Sequence, residues 1–279
     1  MRPFRPIARC LPATLLALAL LGGALTGCAT RPPADDPEAL EEFRATNDPI
    51  EPWNRAMYDV HQAIDTVVLR PVAVGYRAVV PGPVRTGVAN ALSNLRSPVI
   101  LINDALQGET QRFGTTLGRF LLNTTLGVGG ILDVAEDLGL PEHSEDFGQT
   151  FAVAGVEEGP YLFIPILGPS NPRDLLGYAA DIAADPFTWL TFGNRDLAET
   201  LQYIRAGATV VSTRESLLDT LDDVQRTSLD PYATLRSAYR QRRAHEIANR
   251  PGARESAPQG LGTGLGAGLG SATPDTAQP

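Results

Sequence analysis

Residues 25–28, Leu-Thr-Gly-Cys, form a bacterial lipobox, in which a leucine and two small residues directly precede a cysteine. They end a segment with the layout of a secretory signal, with arginines near its start and an apolar run from Leu11 to Leu25. A signal peptidase cuts such a segment before the cysteine, whose thiol takes diacylglycerol through a thioether. Acyl chains at ~0.8 kcal/mol per buried methylene anchor a protein stably. We therefore expect a mature chain that begins with acylated Cys28 and is tied to a membrane outside the cytoplasm.

The alternative for this segment is a transmembrane anchor. No charge lies between Arg9 and Arg31, and 21 residues are long enough to span a bilayer. Pro12 and the Gly22-Gly23 pair interrupt the run, which favours the cleaved signal. Alanine follows Cys28 in place of the aspartate that usually retains a lipoprotein in the inner membrane. We therefore expect the outer membrane, facing the periplasm.

Charge and cysteine content exclude other classes. Cleavage removes three of the 23 basic residues and none of the 32 acidic ones, which leaves the mature chain with a net charge of −12. A chain this acidic lacks the basic surface that nucleic acid requires. Cys10 leaves with the signal and Cys28 carries lipid, so no disulfide can form. The fold must be held by its core.

Composition divides the chain into four parts. Residues 1–27 are the signal peptide, and residues 28–47 are the acylated N-terminus with a polar, Pro-containing tether. Residues 48–249 carry the apolar periodicity of a folded domain. Residues 250–279, which include GLGTGLGAGLG, have the composition of a disordered tail.

The folded part is predicted to be all-α. Asp48-Pro49 is expected to cap a first helix that ends or kinks at Pro71, and Ser97-Pro98 is expected to open another. Later helices are predicted to begin at 171–172 and at 230–231. Apolar residues at spacings of three and four predict further helical stripes: Ile50, Trp53, Met57, Val60, Ile64 and Val67; Val84, Val88, Leu92 and Leu95; Phe113, Leu117, Phe120 and Leu121; and Leu197, Leu201, Ile204, Ala208 and Val211.

Two uncharged stretches are unusual for a water-soluble helical domain. Residues 120–132 contain three glycines, and residues 159–172 contain four prolines, with at best a brief strand or an extended loop in 161–167. Each is too short to span a bilayer as a helix. Each is therefore either a core segment or a segment that dips into one leaflet under cover of protein.

Catalytic and ligand-binding motifs are absent from the sequence. The glycines at 127–130 lack the spacing and the lysine of a phosphate-binding loop, and no G-x-S-x-G motif occurs. The charged run 142–146, with His143, is interpreted as a solvated loop and not as a metal site. Asp133, Glu136 and Asp137 are interpreted as the wet face of a short helix. We expect no enzyme activity, no cofactor and no metal.

A series of motifs between residues 47 and 190 resembles the MlaA (VacJ) family of outer-membrane lipoproteins. The motifs occur in family order: NDPIEPWNR at 47–55, RPVAVGY at 70–76, NLRSP at 94–98, LQG at 106–108, RFLLNTTLG at 119–127, GGILDVA at 129–135, EDFGQT at 145–150 and GPY at 159–161. The resemblance implies a ring-like helical protein in the inner leaflet of the outer membrane. It also implies a central channel for misplaced phospholipids, a soluble periplasmic carrier that receives them and a porin partner.

Such a path is needed because exposing about 30 lipid methylenes to water costs on the order of 24 kcal/mol. An uncharged, glycine-rich backbone beside short polar side chains could cover the tails and wet the headgroup. The predicted residues along this lipid path are Asn123, Thr124, Thr125, Gly127, Gly129 and Gly130. Two alternatives to lipid transport stay open: a structural lipoprotein that scaffolds a porin or envelope complex, and an envelope hydrolase.

Overall fold

The computed structural model describes residues 46–190 and 194–248. They form helices with one small hairpin, which confirms the predicted all-α class. The signal at 1–27, the tail at 250–279 and all but the last two residues of the tether lie outside the described residues. The elements are α1 (Glu51–Ile64), a π-helical turn (Asp65–Leu69), α2 (Arg70–Val79), α3 (Gly82–Gln107), α4 (Thr110–Thr125), α5 (Val134–Asp137), α6 (Phe147–Val153), β1 (Leu162–Ile164), β2 (Gly168–Ser170), α7 (Pro172–Ala184), α8 (Pro186–Trp189), α9 (Arg195–Ser216), α10 (Leu218–Thr227) and α11 (Pro231–Ile247).

Side-chain caps fix the starts of two predicted helices. The Asn171 side chain accepts a hydrogen bond from the Asp174 amide at 2.8 Å, at the start of α7. Asp230 accepts from the Ala233 amide at 3.1 Å, at the start of α11. A proline occupies the first position of both helices, where no amide hydrogen is needed. Both predicted starts are confirmed.

Two predicted helix starts, at 48–49 and at 97–98, are wrong, and the chain stays helical past Pro71. Helix α1 begins at Glu51 without a side-chain cap, and Asp48 is buried and accepts from Asn54 Nδ2 at 2.7 Å. The helical backbone passes through the π-helical turn and Pro71 into α2. Pro98 lies inside α3, a helix of 26 residues that packs against α4 and α9. A long helix that packs against neighbours on two sides tolerates the loss of the one backbone hydrogen bond that proline cannot donate.

Several helices bury their polar side and expose their apolar side. In α4 the side chains of Thr116, Arg119 and Asn123 are buried, whereas Leu117 and Leu121 are exposed. Across the described residues, 20 buried polar or charged residues outnumber 12 buried apolar ones. A water-soluble helix shows the opposite arrangement.

Helices α1 and α9 show the same reversal. In α1, Asn54 is fully buried, while Trp53 and Val60 of the predicted apolar stripe are exposed. In α9, the predicted stripe residues Leu197 and Leu201 are exposed as well. Several residues of these apolar stripes therefore lie on the outer surface and not in the core.

An aromatic cluster joins the two ends of the described chain. Tyr58 of α1 packs edge-on against Phe163 of β1, with ring centroids 5.4 Å apart, and against Tyr232 of α11 at 5.8 Å. Strands β1 and β2 pair antiparallel, with Leu162 opposite Ser170. The uncharged stretch 159–172 thus forms a hairpin that contacts α1 and α11, and of the brief strand and the extended loop expected at 161–167 the structure has the strand.

Within residues 46–190 and 194–248, no helix is both long enough and apolar enough to cross a membrane. The uncharged stretch 120–132 forms the end of α4 and a turn, in which Leu126 and Val128 are exposed.

Candidate functional site

A partly open cavity of about 360 Å³ lies among the helices, within the size range of small-molecule sites. Helix α3, the 142–146 loop, the hairpin, α7, α8, α9 and one residue of α11 form its walls. Its lining consists of Ala89, Leu92, Ser93, Arg96, Val99, Ile100, Glu142, His143, Ser144, Asp146, Leu167, Pro169, Ser170, Asp174, Tyr178, Asp181, Ile182, Asp185, Phe187, Thr188, Gln202, Arg205, Ala206, Thr209, Ser212, Thr213, Ser216 and Arg243.

Two kinds of side chain line this cavity. Apolar side chains come from α3 and from α7–α8, among them Leu92, Ile182 and Phe187. Helix α9 contributes one polar face whose side chains recur at helical spacing. That face consists of Gln202, Arg205, Thr209, Ser212, Thr213 and Ser216. The cavity therefore offers an apolar surface and a hydrogen-bonding surface to one occupant.

Helix α9 has the reverse of the orientation usual for an amphipathic helix in a water-soluble protein. Its apolar residues at 197, 201 and 204 are exposed, and six of its polar residues between 202 and 216 line the cavity. The sequence analysis used only the apolar residues of this helix and missed the polar face. Hydroxyl and amide side chains at spacings of three and four carried the signal that could have found it.

Arg243, from the last helix, holds two carboxylates at the floor of the cavity. Its guanidinium donates to both oxygens of Asp146 at 2.7 Å and lies 2.8 Å from Asp174. Burial alone would raise the pKa of Asp146, but the ion pair with Arg243 outweighs burial and lowers this pKa well below its usual range. This ion triad fixes the 142–146 loop to α7 and α11.

Two further ion pairs line the cavity. Arg205 donates to Asp185 at 2.6 Å, whereas Arg96 Nη2 and Asp181 Oδ2 lie 4.0 Å apart. Burial raises the pKa of Asp181 to about 6, against the opposing effect of Arg96. Asp181 is held in place because its Oδ1 accepts from the Phe147 amide at 3.0 Å.

In the 142–146 loop Glu145 and Asp146 are buried and residues 142–144 are half-buried, so the interpretation as a solvated loop is wrong. Glu145 is fully buried and accepts from Gln107 Nε2 at 2.8 Å. His143 Nε2 lies 3.0 Å from Asp104 Oδ1, which is itself fully buried. Burial raises the pKa of Glu145 to about 7, with Arg112 opposing the shift. Within the described ranges, no group of three or more His, Cys, Asp and Glu side chains is arranged to hold a metal ion.

The expected wet face of the short helix is confirmed for Glu136 and Asp137, which are exposed, and is wrong for Asp133. Asp133 caps α5 by accepting from the Glu136 amide at 3.1 Å, and it accepts from Arg119 Nη2 at 2.6 Å. Hydrogen bonds and this ion pair lower the pKa of Asp133 despite its burial. Asp133 is therefore part of the packing between α4 and α5 and not a solvated residue.

The six predicted lipid-path residues are not among those that line the cavity. Asn123 is buried, where it donates to Asp133 at 2.9 Å and accepts from the Ala135 amide at 2.9 Å. Thr124 Oγ1 accepts from Asn94 at 2.9 Å, and Thr125 donates to the Leu121 carbonyl at 2.6 Å.

The three glycines form the turn after α4. Gly129 and Gly130 have positive φ of 73° and 92°, a conformation that favours glycine. A Cβ on Gly127 would lie 2.2 Å from the Leu132 carbonyl oxygen, and one on Gly130 would lie 2.4 Å from Asn94 Cβ. The turn thus closes tightly onto α3, and it carries exposed apolar side chains, namely Leu126, Val128, Ile131 and Leu132.

A second, polar pocket of about 20 Å³ lies between this turn and the large cavity, with room for a single water. Asn123 lines it, together with Arg119 and Asp133. Ser93 and Glu142 line both pockets, and Ser93 Oγ donates to Glu142 at 2.6 Å. One predicted residue therefore borders a pocket that shares a wall with the cavity.

Comparisons with known proteins agree on one family. A family model described as MlaA lipoprotein matches residues 46–246. Similar curated proteins include the "Intermembrane phospholipid transport system lipoprotein MlaA" of Escherichia coli K12, 37% identical over 82% of this chain and 86% of that protein. The protein of the same name from Haemophilus influenzae is 33% identical over 82% and 88%, respectively. An uncharacterized protein of Rickettsia felis is 35% identical over 72% and 78%.

A solved structure matches as well. It comes from work described as "Structural basis for maintenance of bacterial outer membrane lipid asymmetry". The two chains share 37% identity with a TM-score of 0.60, over 72% of this chain and 98% of the solved one. Likeness therefore covers both the sequence and the three-dimensional arrangement of the described residues.

Proposed function

Because the chain belongs to the MlaA lipoprotein family, we propose that it removes misplaced phospholipids from the outer leaflet of the outer membrane and passes them to a periplasmic carrier. The protein transports lipid and thereby maintains the lipid asymmetry of that membrane. Lipid transport of this kind requires a continuous path for an amphipathic molecule.

The observation that carries this proposal is the reversed polarity of the helices around an amphipathic cavity. Apolar faces of α1, α4 and α9 point outward, where acyl chains can solvate them. The polar face of α9 lines the same cavity as apolar side chains of α3 and α7–α8. A headgroup can hydrogen-bond to the polar side chains while the first methylenes contact the apolar ones, which avoids exposing the tails to water at about 0.8 kcal/mol per methylene.

The same exposed surface supports a position within one leaflet. Val67 and Val79 are exposed on the π-helical turn and α2, and Leu197 and Ile204 are exposed on α9. Apolar patches of this kind mark membrane or protein contacts. We propose that they contact the lipid tails of the inner leaflet and that acylated Cys28 anchors the chain there. A porin and a soluble carrier are the proposed protein partners.

We propose that lipid enters the cavity beside the turn that follows α4. Leu126, Val128, Ile131 and Leu132 are exposed there, and Asn123 connects the turn to the small polar pocket. The six residues predicted from the sequence, Asn123 to Gly130, thus retain a proposed role at the border of the lipid path. They shape the turn, and the cavity walls hold the headgroup.

Outer-leaflet phospholipid in cells tests the function directly. Deletion of the gene is expected to raise the outer-leaflet phospholipid, measured with a membrane-impermeant amine reagent, and the wild-type gene is expected to restore it. Thr209→Trp places a large side chain in the cavity, and this variant is expected not to restore the wild-type level of outer-leaflet phospholipid. Tyr203→Trp is the matched control, because Tyr203 is 77% exposed on the outer side of the same helix.

Three outcomes would contradict the proposal. Normal restoration by an abundant, folded Thr209→Trp protein would show that lipid does not pass through the cavity. Release of cleaved lipid products by purified protein would favour the hydrolase alternative. Unchanged outer-leaflet phospholipid in the deletion strain would favour the scaffold alternative.

A further inference from the structure

The charged side chains that line the cavity are engaged with one another. Each lining arginine and each lining aspartate has an ion-pair partner. The pairs are Arg243 with Asp146 and Asp174, Arg173 with Asp174, Arg205 with Asp185, and Arg96 with Asp181. Glu142 accepts a hydrogen bond from Ser93 Oγ at 2.6 Å. An arginine that bound a lipid phosphate would have to share or leave its carboxylate, so another side chain is the better partner for an anionic group.

The imidazole of His143 is fixed through one ring nitrogen and open at the other. His143 lines the cavity, and its side chain is 14% exposed. Its Nε2 lies 3.0 and 3.1 Å from the two carboxylate oxygens of Asp104, and 3.1 Å from Thr116 Oγ1. Nδ1, the other ring nitrogen, has no hydrogen-bond partner within residues 46–190 and 194–248. Nδ1 is therefore the ring nitrogen left for a molecule in the cavity.

The partners of Nε2 determine where the ring hydrogens lie. Thr116 Oγ1 donates its hydrogen to Asp104 Oδ2 at 2.8 Å, and the carboxylate oxygens can only accept. Nε2 therefore carries a hydrogen and donates it toward Asp104. In the neutral ring Nδ1 is then an acceptor, and in the protonated ring it is a charged donor. A phosphate oxygen also only accepts, so Nδ1 can bind it only when the ring is protonated.

We propose that His143 binds the phosphate of a phospholipid in the cavity through Nδ1 and that Nδ1 takes up one proton from water when it does so. This inference rests on the proposed transport function and assigns a contact to its substrate. Asp104 is fully buried on the Nε2 side of the ring, where its carboxylate can pair with the positive charge that the proton brings. The phosphate is common to glycerophospholipids, so this contact recognises the class and not one headgroup. Because binding takes up a proton, the lipid should bind more tightly at lower pH.

Other ionisable groups near His143 respond in the same pH range. Burial raises the pKa of Glu145 to about 7 and the pKa of Asp181 to about 6, and protonation of either carboxylate would also favour an anion in the cavity. The charged groups of the loop and of the elements around the cavity are Glu142, Glu145 and Asp146 in the loop; Arg96 and Asp104 on α3; Arg112 on α4; Arg173, Asp174 and Asp181 on α7; Asp185 before α8; Arg205 on α9; and Arg243 on α11. All of them remain in a variant that changes His143 alone, so comparison with that variant isolates the ring.

Lipid binding by the purified, detergent-solubilised full-length protein at two pH values tests the contact. The probe is phosphatidylcholine, because its quaternary ammonium has no hydrogen to donate to Nδ1 and its phosphate keeps its charge at both pH values. Diacylglycerol with the same acyl chains is the matched probe without a phosphate. Phosphatidylcholine is expected to bind about tenfold more tightly at pH 6 than at pH 8, a ratio that corresponds to roughly 1.4 kcal/mol. The affinity for diacylglycerol is expected to differ by less than about twofold.

Two substitutions and one spectrum assign the effect to a residue. His143→Gln keeps a side chain that can donate to Asp104 but cannot take up a proton, and it is expected to reduce the pH ratio for phosphatidylcholine to about threefold or less. His245→Gln makes the same change on α11, outside the cavity lining, and is expected to keep the wild-type ratio. The melting temperature of each variant is measured alongside. In NMR spectra of the wild-type protein at pH 7, phosphatidylcholine is expected to move the ring signal of His143 toward that of a protonated imidazole, a change that a merely structural role would not produce.

Each contrary result has a distinct meaning. Equal affinity for phosphatidylcholine at the two pH values, or an unchanged His143 signal, would overturn this inference and leave the transport function standing. An undiminished pH ratio in a folded His143→Gln protein would overturn the assignment to His143, and an equal pH ratio for diacylglycerol would overturn the assignment to the phosphate. Failure of the wild-type protein to bind phosphatidylcholine at either pH would overturn both the inference and the proposed function.

Discussion

Substitution of Gly177 by alanine should separate two helices that form the cavity. Helices α6 and α7 cross at Gly148 and Gly177 with their backbones in contact. A Cβ on Gly177 would lie 2.2 Å from the Gly148 amide nitrogen and 2.6 Å from its Cα. These obstacles are backbone atoms, which cannot rotate away as the end of a side chain can. The helices must therefore move apart, on the order of 1 Å, before the methyl group fits.

The cost follows from the packing that this movement breaks. Overpacking a close-packed interior costs about 1–3 kcal/mol, and a contact with rigid backbone lies at the upper end. For a domain of this size, each kcal/mol lowers the melting temperature by roughly 2–4 °C. We expect Gly177→Ala to lower it by roughly 5–10 °C. Lipid binding should weaken as well, because α7 carries Tyr178, Asp181 and Ile182 of the cavity wall.

Thermal unfolding followed by circular dichroism in detergent measures the effect. Gly207→Ala is the matched control, because Gly207 lies inside α9 and a Cβ there would meet no atom within 4 Å. Alanine in an open helical position stabilises by about 0.5–1 kcal/mol, so the control should melt slightly higher than the wild type. A Gly177→Ala protein that melts within about 2 °C of the wild type, less than 1 kcal/mol for a domain of this size, would refute the argument that these helices are in backbone contact.

The remaining predictions concern the anchor, the turn, a buried acid and the tail. Cys28→Ser should leave uncut, unacylated precursor. Mass spectrometry of the wild-type protein checks this, and an N-terminus other than acylated Cys28 would contradict the proposed location. Gly129→Asp should slow clearance of outer-leaflet phospholipid more than Gly129→Asn. Aspartate and asparagine both tolerate the positive φ at this position, and only aspartate adds a charge. Equal clearance by the two variants would show that the turn does not border the lipid path. Burial raises the pKa of Glu145 to about 7, so the native state loses stability as the pH rises from 4.5 to 7. Glu145→Gln should therefore be more stable at pH 8, by at most about 3 kcal/mol, with no gain at pH 4.5 in denaturant titrations; a gain equal at both pH values would refute the electrostatic cause. Deletion of residues 251–279 should leave lipid clearance intact, since a Gly/Leu repeat offers no packed surface, and a loss of clearance would contradict the interpretation of this segment as dispensable.

The sequence predicted where most helices lie and which side of each is apolar. It could not predict the direction in which that side faces, because periodicity distinguishes two faces and says nothing about the solvent outside. Trp53, Val60 and Leu201 carry the pattern of core residues and lie at the surface. That outcome is expected where lipid replaces water around the protein.

Buried charge was the second property that local patterns missed. Asp48 is buried because Tyr232 and Arg236 donate to it from the other end of the chain. Asp146 is buried because Arg243 reaches it in the same way. Partners almost a hundred residues or more apart leave no trace in the local sequence, so a run of acids resembles a solvated loop until the fold is known.

The position of α11 has a consequence for folding during synthesis. A chain made from its N-terminus presents residue 48 early and α11 late. Until α11 emerges, Asp48 lacks the hydroxyl of Tyr232, and Asp146 lacks the guanidinium of Arg243. Buried carboxylates without these partners strongly disfavour the closed structure. A partial chain that ends before α11 therefore cannot reach the native state, and residues 46–146 acquire their final packing only after the last described helix has been made.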